Sequence, residues 1–98
     1  MAVHQLQSSA ELPPSDDRTT LLGFVAQKCG PCLQQRPVWD ALAETVLLVD
    51  VDAFPEIRAE YGVEALPTTV VLARGRVQVL RGVQTTRQLN EALGIPAA

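Results

Sequence analysis

Several residue types are scarce in this sequence, and each scarcity excludes a class of protein. Two cysteines and one histidine among 98 residues are too few for a structural zinc site within one chain, unless carboxylates are recruited as ligands. No stretch approaches the ~20 consecutive apolar residues that a membrane-spanning helix requires. The formal net charge of -3 at pH 7 provides no net basic surface for nucleic acid. Arg74, Arg76 and Arg81 are close in sequence, and a solvated hairpin is the simpler explanation for them.

The remaining composition is that of an ordinary folded protein. Hydrophobic residues make up 47% and charged residues 19% of the chain, a balance that argues against disorder. We expect residues 1–98 to form a single domain, because a chain of this length has no room for a second core. Residues 1–17 lack the basic start and apolar run of a secretory signal, and Met1 suggests that the chain begins where translation does. A reducing compartment, by default the cytoplasm, is therefore expected.

Hydrophobic patterning predicts a strand–helix–strand unit in the first half of the chain. Continuous apolar runs over residues 20–26 and 45–51 are typical of strands that are covered on both faces. Between them, apolar residues recur at roughly helical spacing and predict a helix over 30–44. These residues are Leu33, Val38, Trp39, Leu42 and Ala43. Such a unit predicts two parallel strands joined by a right-handed crossover.

The second half predicts a short helix, an antiparallel hairpin and a final helix. The predicted elements are a helix over 55–62, strands over 68–73 and 76–80, and a helix over 85–94. Arg74 and Gly75 join the two strands tightly enough for a hairpin. Thr85 and Gln88 have the spacing of a capping box at the start of the final helix.

Together these elements predict an α/β fold with a mixed central sheet. The sheet has about four to five strands, a parallel centre and an antiparallel C-terminal hairpin, with helices on both faces. A short edge strand over 2–6 and at most a helical turn over 8–12 precede the first buried strand. Residues 11–20, with prolines followed by acids and hydroxyls, are the only linker-like segment.

Both cysteines lie in the motif Cys-Gly-Pro-Cys at residues 29–32, and three roles compete for them. A dimer would allow the thiolates of two chains to bind zinc or an iron–sulfur cluster together. A purely structural disulfide across so short a loop removes little chain entropy and stabilises weakly. The position of the motif, between a predicted strand and a predicted helix, favours the third role, a reactive dithiol.

The start of the helix gives the two cysteines different chemistry. With Cys29 near the N-cap, its sulfur accepts the backbone N–H of Cys32, and the positive end of the helix dipole favours thiolate. Both effects lower the thiol pKa from about 8.5 toward neutrality. Helix geometry predicts that Cys29 faces the rim as the attacking group and that Cys32 faces inward as the resolving group. Pro31 fits the first helical turn, and Pro37 predicts a kink.

These residues resemble the thioredoxin family from about Thr20 to Leu93, and three motifs carry the resemblance. They are CGPC at 29–32, YGVEALPTTVVL at 61–72 and VLRGVQT at 79–85. The resemblance implies a thioredoxin fold, with a single thioredoxin-like domain over residues 1–98. It also implies a cis peptide bond before Pro67, and X–Pro bonds are the usual site of such bonds.

The same resemblance implies where a substrate binds. The implied substrate-binding residues are Lys28, Gly30, Pro31, Leu66, Pro67 and Gly82. Leu66 would offer its backbone to an extended substrate strand. Pro67 would lie opposite the cysteines, and Gly82 would let the substrate backbone approach the site.

The chain departs from the family at two buried positions. Family members usually carry a buried aspartate in the strand before the cysteines, paired with a lysine in the next strand, and Gly23 and Leu48 stand at these positions here. Because that acid is thought to help deprotonate the second cysteine, we expect Cys32 to ionise more slowly. If the missing acid limits the rate, Gly23→Asp is expected to speed resolution, at a cost in stability because it buries an unpaired charge.

Two tryptophans of the family are also replaced. Lys28 replaces the tryptophan that directly precedes the first cysteine, and Val25 replaces the one in the strand before the cysteines. As a nearby cation, Lys28 is expected to favour the Cys29 thiolate, although a solvated loop charge is an equally simple role.

The resemblance implies a thioredoxin-type protein-disulfide oxidoreductase that serves electron transport and cell redox homeostasis. Cys29 attacks a substrate disulfide, Cys32 resolves the mixed disulfide, and an external reductant such as thioredoxin reductase regenerates the pair. The implied partners are disulfide-containing proteins, with no cofactor, metal, nucleic acid or membrane, and a monomer is the default. Three alternatives stay open: a disulfide oxidase or isomerase, a thioredoxin-fold binding module with weak redox turnover, and a dimeric metal-binding protein.

Overall fold

The structure is a computed structural model that describes residues 3–12 and 19–94. Its strands and helices follow the order that the sequence predicts. The strands are β1 (Val3–Gln5), β2 (Thr20–Val25), β3 (Thr45–Asp50), β4 (Thr68–Ala73) and β5 (Arg76–Arg81). The helices are α1 (Gly30–Asp40), α2 (Pro55–Glu60) and α3 (Thr86–Leu93), with a 3-10 turn at Ser9–Glu11. Most of the predicted linker over 11–20 lies outside the described residues.

The five strands form a mixed sheet in the order β1-β3-β2-β4-β5. β1 and β2 both run parallel to β3, whereas β4 is antiparallel to β2 and to β5. The sheet therefore has the predicted parallel centre and antiparallel C-terminal hairpin, and α1 lies in the crossover between β2 and β3. In this register Gly23 on β2 lies between Leu48 on β3 and Thr69 on β4.

The sheet buries an apolar layer on each face. On one face, Leu22 of β2 is buried in a cluster with Ile57 of α2. On the other face, Leu21 of β2 is buried in a cluster with Trp39 of α1 and Leu89 of α3. Because consecutive side chains of a strand point to opposite faces, the continuous apolar run of β2 serves both layers. None of the described helices combines the length and apolar composition that crossing a membrane requires.

Helix α1 is shorter than predicted, and one of the apolar residues that indicated it lies outside the core. It ends at Asp40, before the predicted end. Its buried residues are Cys32, Gln35 and Trp39, whereas Leu33 is 77% exposed. Cys32 is therefore buried, as predicted, whereas Leu33, one of the apolar residues whose spacing indicated the helix, faces solvent. Spacing indicates the helical period, but the contact of Trp39 with the sheet decides which face turns inward, and adjacent residues differ by about 100° around the axis.

The turns and caps follow their local sequence signals. Between β4 and β5, Arg74 and Gly75 have φ angles of 53° and 73°, the left-handed conformations of a two-residue hairpin turn. Before α3, Gln88 N–H donates to Thr85 Oγ1 at 3.1 Å, and Thr85 N–H donates to Gln88 Oε1 at 2.8 Å. The predicted hairpin and capping box are therefore both present. α1 continues past Pro37, so this proline does not end the helix.

The hairpin turn provides a test of the fold. Arg74→Asn is expected to raise the free energy of unfolding by about 0.5 kcal/mol, because asparagine adopts the left-handed conformation more readily than arginine. Urea unfolding followed by tryptophan fluorescence measures the change. The control is Arg76→Asn, the same substitution in β5, which is expected to give no gain because asparagine is depleted in strands. A gain at Arg76 as large as that at Arg74 contradicts the turn assignment.

Candidate active site

The two cysteines lie at the start of α1, and they form a disulfide. Cys29 is the N-cap residue, and its Sγ accepts the backbone N–H of Cys32 at 3.2 Å. Cys29 is half-buried, whereas Cys32 is 7% exposed. This unequal exposure and the sulfur cap agree with the geometry predicted for the motif. They make Cys29 the sulfur that a large substrate reaches more readily.

The residues that flank and separate the cysteines are open to solvent. Lys28 is exposed in the turn between β2 and α1. Gly30 and Pro31 are exposed in the first turn of α1, where proline is tolerated because the first N–H groups of a helix have no partner within it. All three predicted residues therefore lie on the surface beside Cys29.

Three further predicted substrate-binding residues, Leu66, Pro67 and Gly82, lie in the loops before β4 and after β5. The Leu66–Pro67 peptide bond is cis, as the resemblance implied. The N–H of Gly82 donates to the Pro67 carbonyl at 2.9 Å, which joins the two loops. Gly82 has a φ of +82°, a conformation that glycine adopts without steric cost. Among the described residues, no other backbone group bonds the N–H or C=O of Leu66.

A buried glutamine that the sequence analysis did not single out joins α1 to these loops. Gln35 is 0% exposed. Its Nε2 donates to the Gln84 carbonyl at 2.9 Å, and its Oε1 accepts the Gln84 N–H at 2.6 Å. The available signal was spacing, since Gln35 follows Cys32 by three residues and precedes Trp39 by four. Because glutamine is polar, Gln35 did not contribute to the pattern of apolar residues that indicated the helix, and it was missed.

The indole of Trp39 fills the space beside Gly23. A Cβ at Gly23 would lie 2.7 to 3.0 Å from three carbons of the Trp39 ring, closer than carbon atoms approach without a shift. The Trp39 Nε1–H donates to Thr69 Oγ1 at 3.1 Å, and both side chains are 0% exposed. The glycine thus gives the ring room, and Thr69 satisfies its polar atom.

This packing argues against the expectation that Gly23→Asp speeds the reaction. A carboxylate at this position has no room beside the Trp39 ring, because even a Cβ collides with it. Leu48, on the next strand, is buried in the same apolar cluster as Trp39. We therefore expect Gly23→Asp to destabilise the protein through both the collision and the buried charge, without a faster reaction at Cys32.

Charged groups near the site lie on its surface. Arg36 pairs with Asp40 at 3.0 Å on the outer side of α1, with side chains 49% and 44% exposed, and such exposed pairs contribute little stability.

On the other face of the sheet, burial, with the nearby Glu60 carboxylate, raises the pKa of Tyr61 above its usual value of 10.0. In residues 3–12 and 19–94, no three of the His, Cys, Asp and Glu side chains are grouped to hold a metal ion.

A pocket of about 240 Å³ opens beside the disulfide. Both cysteines line it, together with the apolar side chains of Leu33, Trp39 and Leu48. The exposure of Leu33 places an apolar side chain at the surface next to the reacting sulfurs.

A cysteine pair on the first turn of a helix, linked to a cis-proline loop, defines the class of thioredoxin-fold thiol–disulfide oxidoreductases. The family model described as Thioredoxin matches residues 5–94. The chain therefore belongs to the thioredoxin family, and the predicted fold is confirmed.

Individual relatives agree with this assignment over most of the chain. The chain is 30% identical to the thioredoxin-like protein slr0233 of Synechocystis, with 93% of each chain covered. It is 36% identical to thioredoxin from Alicyclobacillus acidocaldarius, over 79% of this chain and 80% of that one. A solved structure of a mutant thioredoxin from Halobacterium salinarum matches with a TM-score of 0.80 at 30% identity, covering 93% of this chain and 87% of that one.

The contact between Gly23 and Trp39 yields a stability prediction. Gly23→Ala is expected to lower the free energy of unfolding by about 1–3 kcal/mol, because the added methyl group overpacks the core. The matched control is Gly30→Ala, since nothing lies within 4 Å of a Cβ there. It is expected to be neutral or slightly stabilising, because alanine favours a helix. Urea unfolding of the oxidised proteins, followed by circular dichroism, measures both changes.

A second background identifies the cause of the loss. In a Trp39→Leu protein, adding Gly23→Ala is expected to cost little, because the colliding ring carbons are gone. If Gly23→Ala costs as much in that background as in wild type, then the Trp39 ring is not what requires the glycine.

Proposed function

We propose that this protein reduces disulfide bonds in other proteins, with Cys29 as the attacking sulfur and Cys32 as the resolving sulfur. The observation that carries the proposal is the asymmetry of the pair. Cys29 caps α1 and is half-buried, whereas Cys32, three residues later in the first turn of the helix, is buried. Thioredoxins act on disulfide-containing proteins, and membership of that family supports the same substrate class here.

The proposed reaction balances as two exchanges. The Cys29 thiolate attacks one sulfur of the substrate disulfide, forms a mixed disulfide and releases the other sulfur as a thiolate, which takes up a proton. The Cys32 thiolate then attacks Cys29 Sγ, forms the intramolecular disulfide and releases the second substrate sulfur. The substrate gains the electron pair that the dithiol loses. An external reductant, such as thioredoxin reductase, restores the dithiol.

The start of α1 supports Cys29 as the nucleophile. The backbone N–H of Cys32 already points at Cys29 Sγ, and a hydrogen bond to sulfur together with the helix dipole favours the thiolate. Lys28 is proposed to add positive charge beside Cys29 from the turn before the helix. Its exposure weakens that contribution by solvent screening.

The loops around β4 and β5 support an extended binding mode for the substrate. Leu66 has backbone groups that no described backbone group uses, and Gly82 has no heavy atom within 4 Å of a Cβ position. A substrate strand along Leu66, with Pro67 and Gly82 beside it, would pair through its backbone, as in β-augmentation. Gly30 and Pro31 would border the same strand from α1.

The cellular setting follows from the chemistry of the proposal. A dithiol that reduces other proteins works where reductants keep it reduced, so we propose a reducing compartment, by default the cytoplasm. We propose that the chain acts as a single-domain monomer. A second candidate is a binding module of the same fold with weak turnover, favoured by the apolar packing of Trp39 against the position of the usual acid.

A trapping experiment tests the roles of the two cysteines. Cys32→Ser is expected to accumulate a mixed disulfide with intact insulin or another disulfide-containing protein, because its resolving sulfur is gone. Cys29→Ser is expected to form none and to have no turnover, since its remaining sulfur is buried. Mass spectrometry under non-reducing conditions identifies the adduct and the cysteine that carries it.

The double variant Cys29→Ser with Cys32→Ser controls for non-covalent binding. An adduct on Cys32 in the Cys29→Ser protein, at a yield equal to that on Cys29 in Cys32→Ser, would reverse the proposed roles. Specific binding of a partner by the double variant, together with no adduct in either single variant, would favour the binding module.

A further inference from the structure

We propose that Gln35 is a positioning residue that holds the loop over residues 82–85 against α1, so that a protein substrate meets this loop and the cysteines in one geometry. The inference deepens the proposed function and rests on it. It assigns to Gln35 a role in the binding of protein substrates rather than in the exchange reaction itself.

Burial makes a purely space-filling role a poor explanation for Gln35. The side chain is 0% exposed and lies on the inward face of α1 with Cys32 and Trp39. An apolar side chain of similar size would fill the same space without burying an amide. A buried amide is costly unless its polar atoms are bonded, so its presence requires partners.

Both partners of the amide belong to the backbone of one residue. Gln35 Nε2 donates to the Gln84 carbonyl at 2.9 Å, and Gln35 Oε1 accepts the Gln84 N–H at 2.6 Å. The side chain thus pairs with Gln84 much as a neighbouring strand would. Two bonds to the same residue fix its orientation as well as its distance from α1.

Gln84 is joined in turn to the implied substrate groove, the surface formed by Leu66, Pro67 and Gly82. Gln84 Nε2 donates to the carbonyl of Arg81 at 2.9 Å and to that of Gly82 at 3.5 Å. Gly82 N–H in turn donates to the Pro67 carbonyl at 2.9 Å. A connected path of hydrogen bonds therefore runs from Gln35, one turn after Cys32, to both loops that border the groove.

The consequence of this path is preorganisation. A loop that is already held in its binding conformation loses less conformational freedom when a substrate strand binds. The benefit applies to a substrate that contacts the loop. A small disulfide reacts at Cys29 without using the groove, so its reaction should not depend on Gln35.

Steady-state kinetics of Gln35→Leu test the inference. The KM for a protein disulfide is expected to rise about tenfold with kcat within about twofold, because the groove is no longer held in place. The rate with a small aromatic disulfide is expected to stay at the wild-type value. Gln34→Leu, the same change at the exposed neighbouring position, is the control and should leave both substrates unchanged.

A second variant covers the case in which Gln35→Leu does not fold. In Gln35→Glu, the protonated carboxyl both accepts from and donates to Gln84, as the amide does, whereas the ionised form only accepts. Burial raises the pKa of such a carboxyl. The ratio of variant to wild-type KM for the protein substrate is therefore expected to be near one at low pH and to increase as pH rises through that pKa.

The outcomes separate the inference from the proposed function. If the wild-type protein reduces neither disulfide, the proposed function is wrong, and the inference that rests on it is wrong as well. If the wild-type protein reduces both disulfides, the inference alone is overturned by an unchanged KM in Gln35→Leu, or by an equal loss of activity on the two substrates. For a folded Gln35→Leu protein, amide exchange at Gln84 must also accelerate, and unchanged protection there overturns the inference.

Discussion

The contact between the indole of Trp39 and the backbone of Gly23 fixes how close α1 lies to the sheet. A Cβ at Gly23 would fall 2.7 Å from the ring, and the indole N–H is bonded to Thr69 on the neighbouring strand. Because protein interiors are close-packed, a shift of the helix would open a void or create a collision. The cysteines at the start of α1 and Gln35 in its middle depend on that one position.

The same contact changes the chemistry available near the cysteines. Where family members usually carry a buried aspartate and a lysine, this chain has Gly23 and Leu48, and the latter is buried in the cluster of Trp39. Apolar packing replaces a buried ion pair with little or no loss of stability in other proteins. Ionisation of the pair then rests on the helix start, where Cys29 caps α1 and the dipole favours its thiolate.

Much of the fold was predictable because its signals are local. Apolar runs, the Arg74–Gly75 turn and the capping box at Thr85 depend on residues near one another in sequence. Burial of Cys32 was predicted from the helix start, but burial of Gln35 and exposure of Leu33 were not, because only contact with the sheet decides which side chains turn inward. The close approach at Gly23 was not predicted either, because its partner Trp39 is distant in sequence and only the fold brings the two together.

The central claim is that the cysteine pair reduces protein disulfides although the core beside it holds the apolar side chains of Trp39 and Leu48 rather than a buried acid. The most direct test is the turnover of a protein disulfide by the wild-type protein, compared with dithiothreitol at equal dithiol concentration and pH. A rate at least about tenfold above that of the free dithiol is expected, because the protein orients its substrate. A rate equal to that of the free dithiol would contradict the claim.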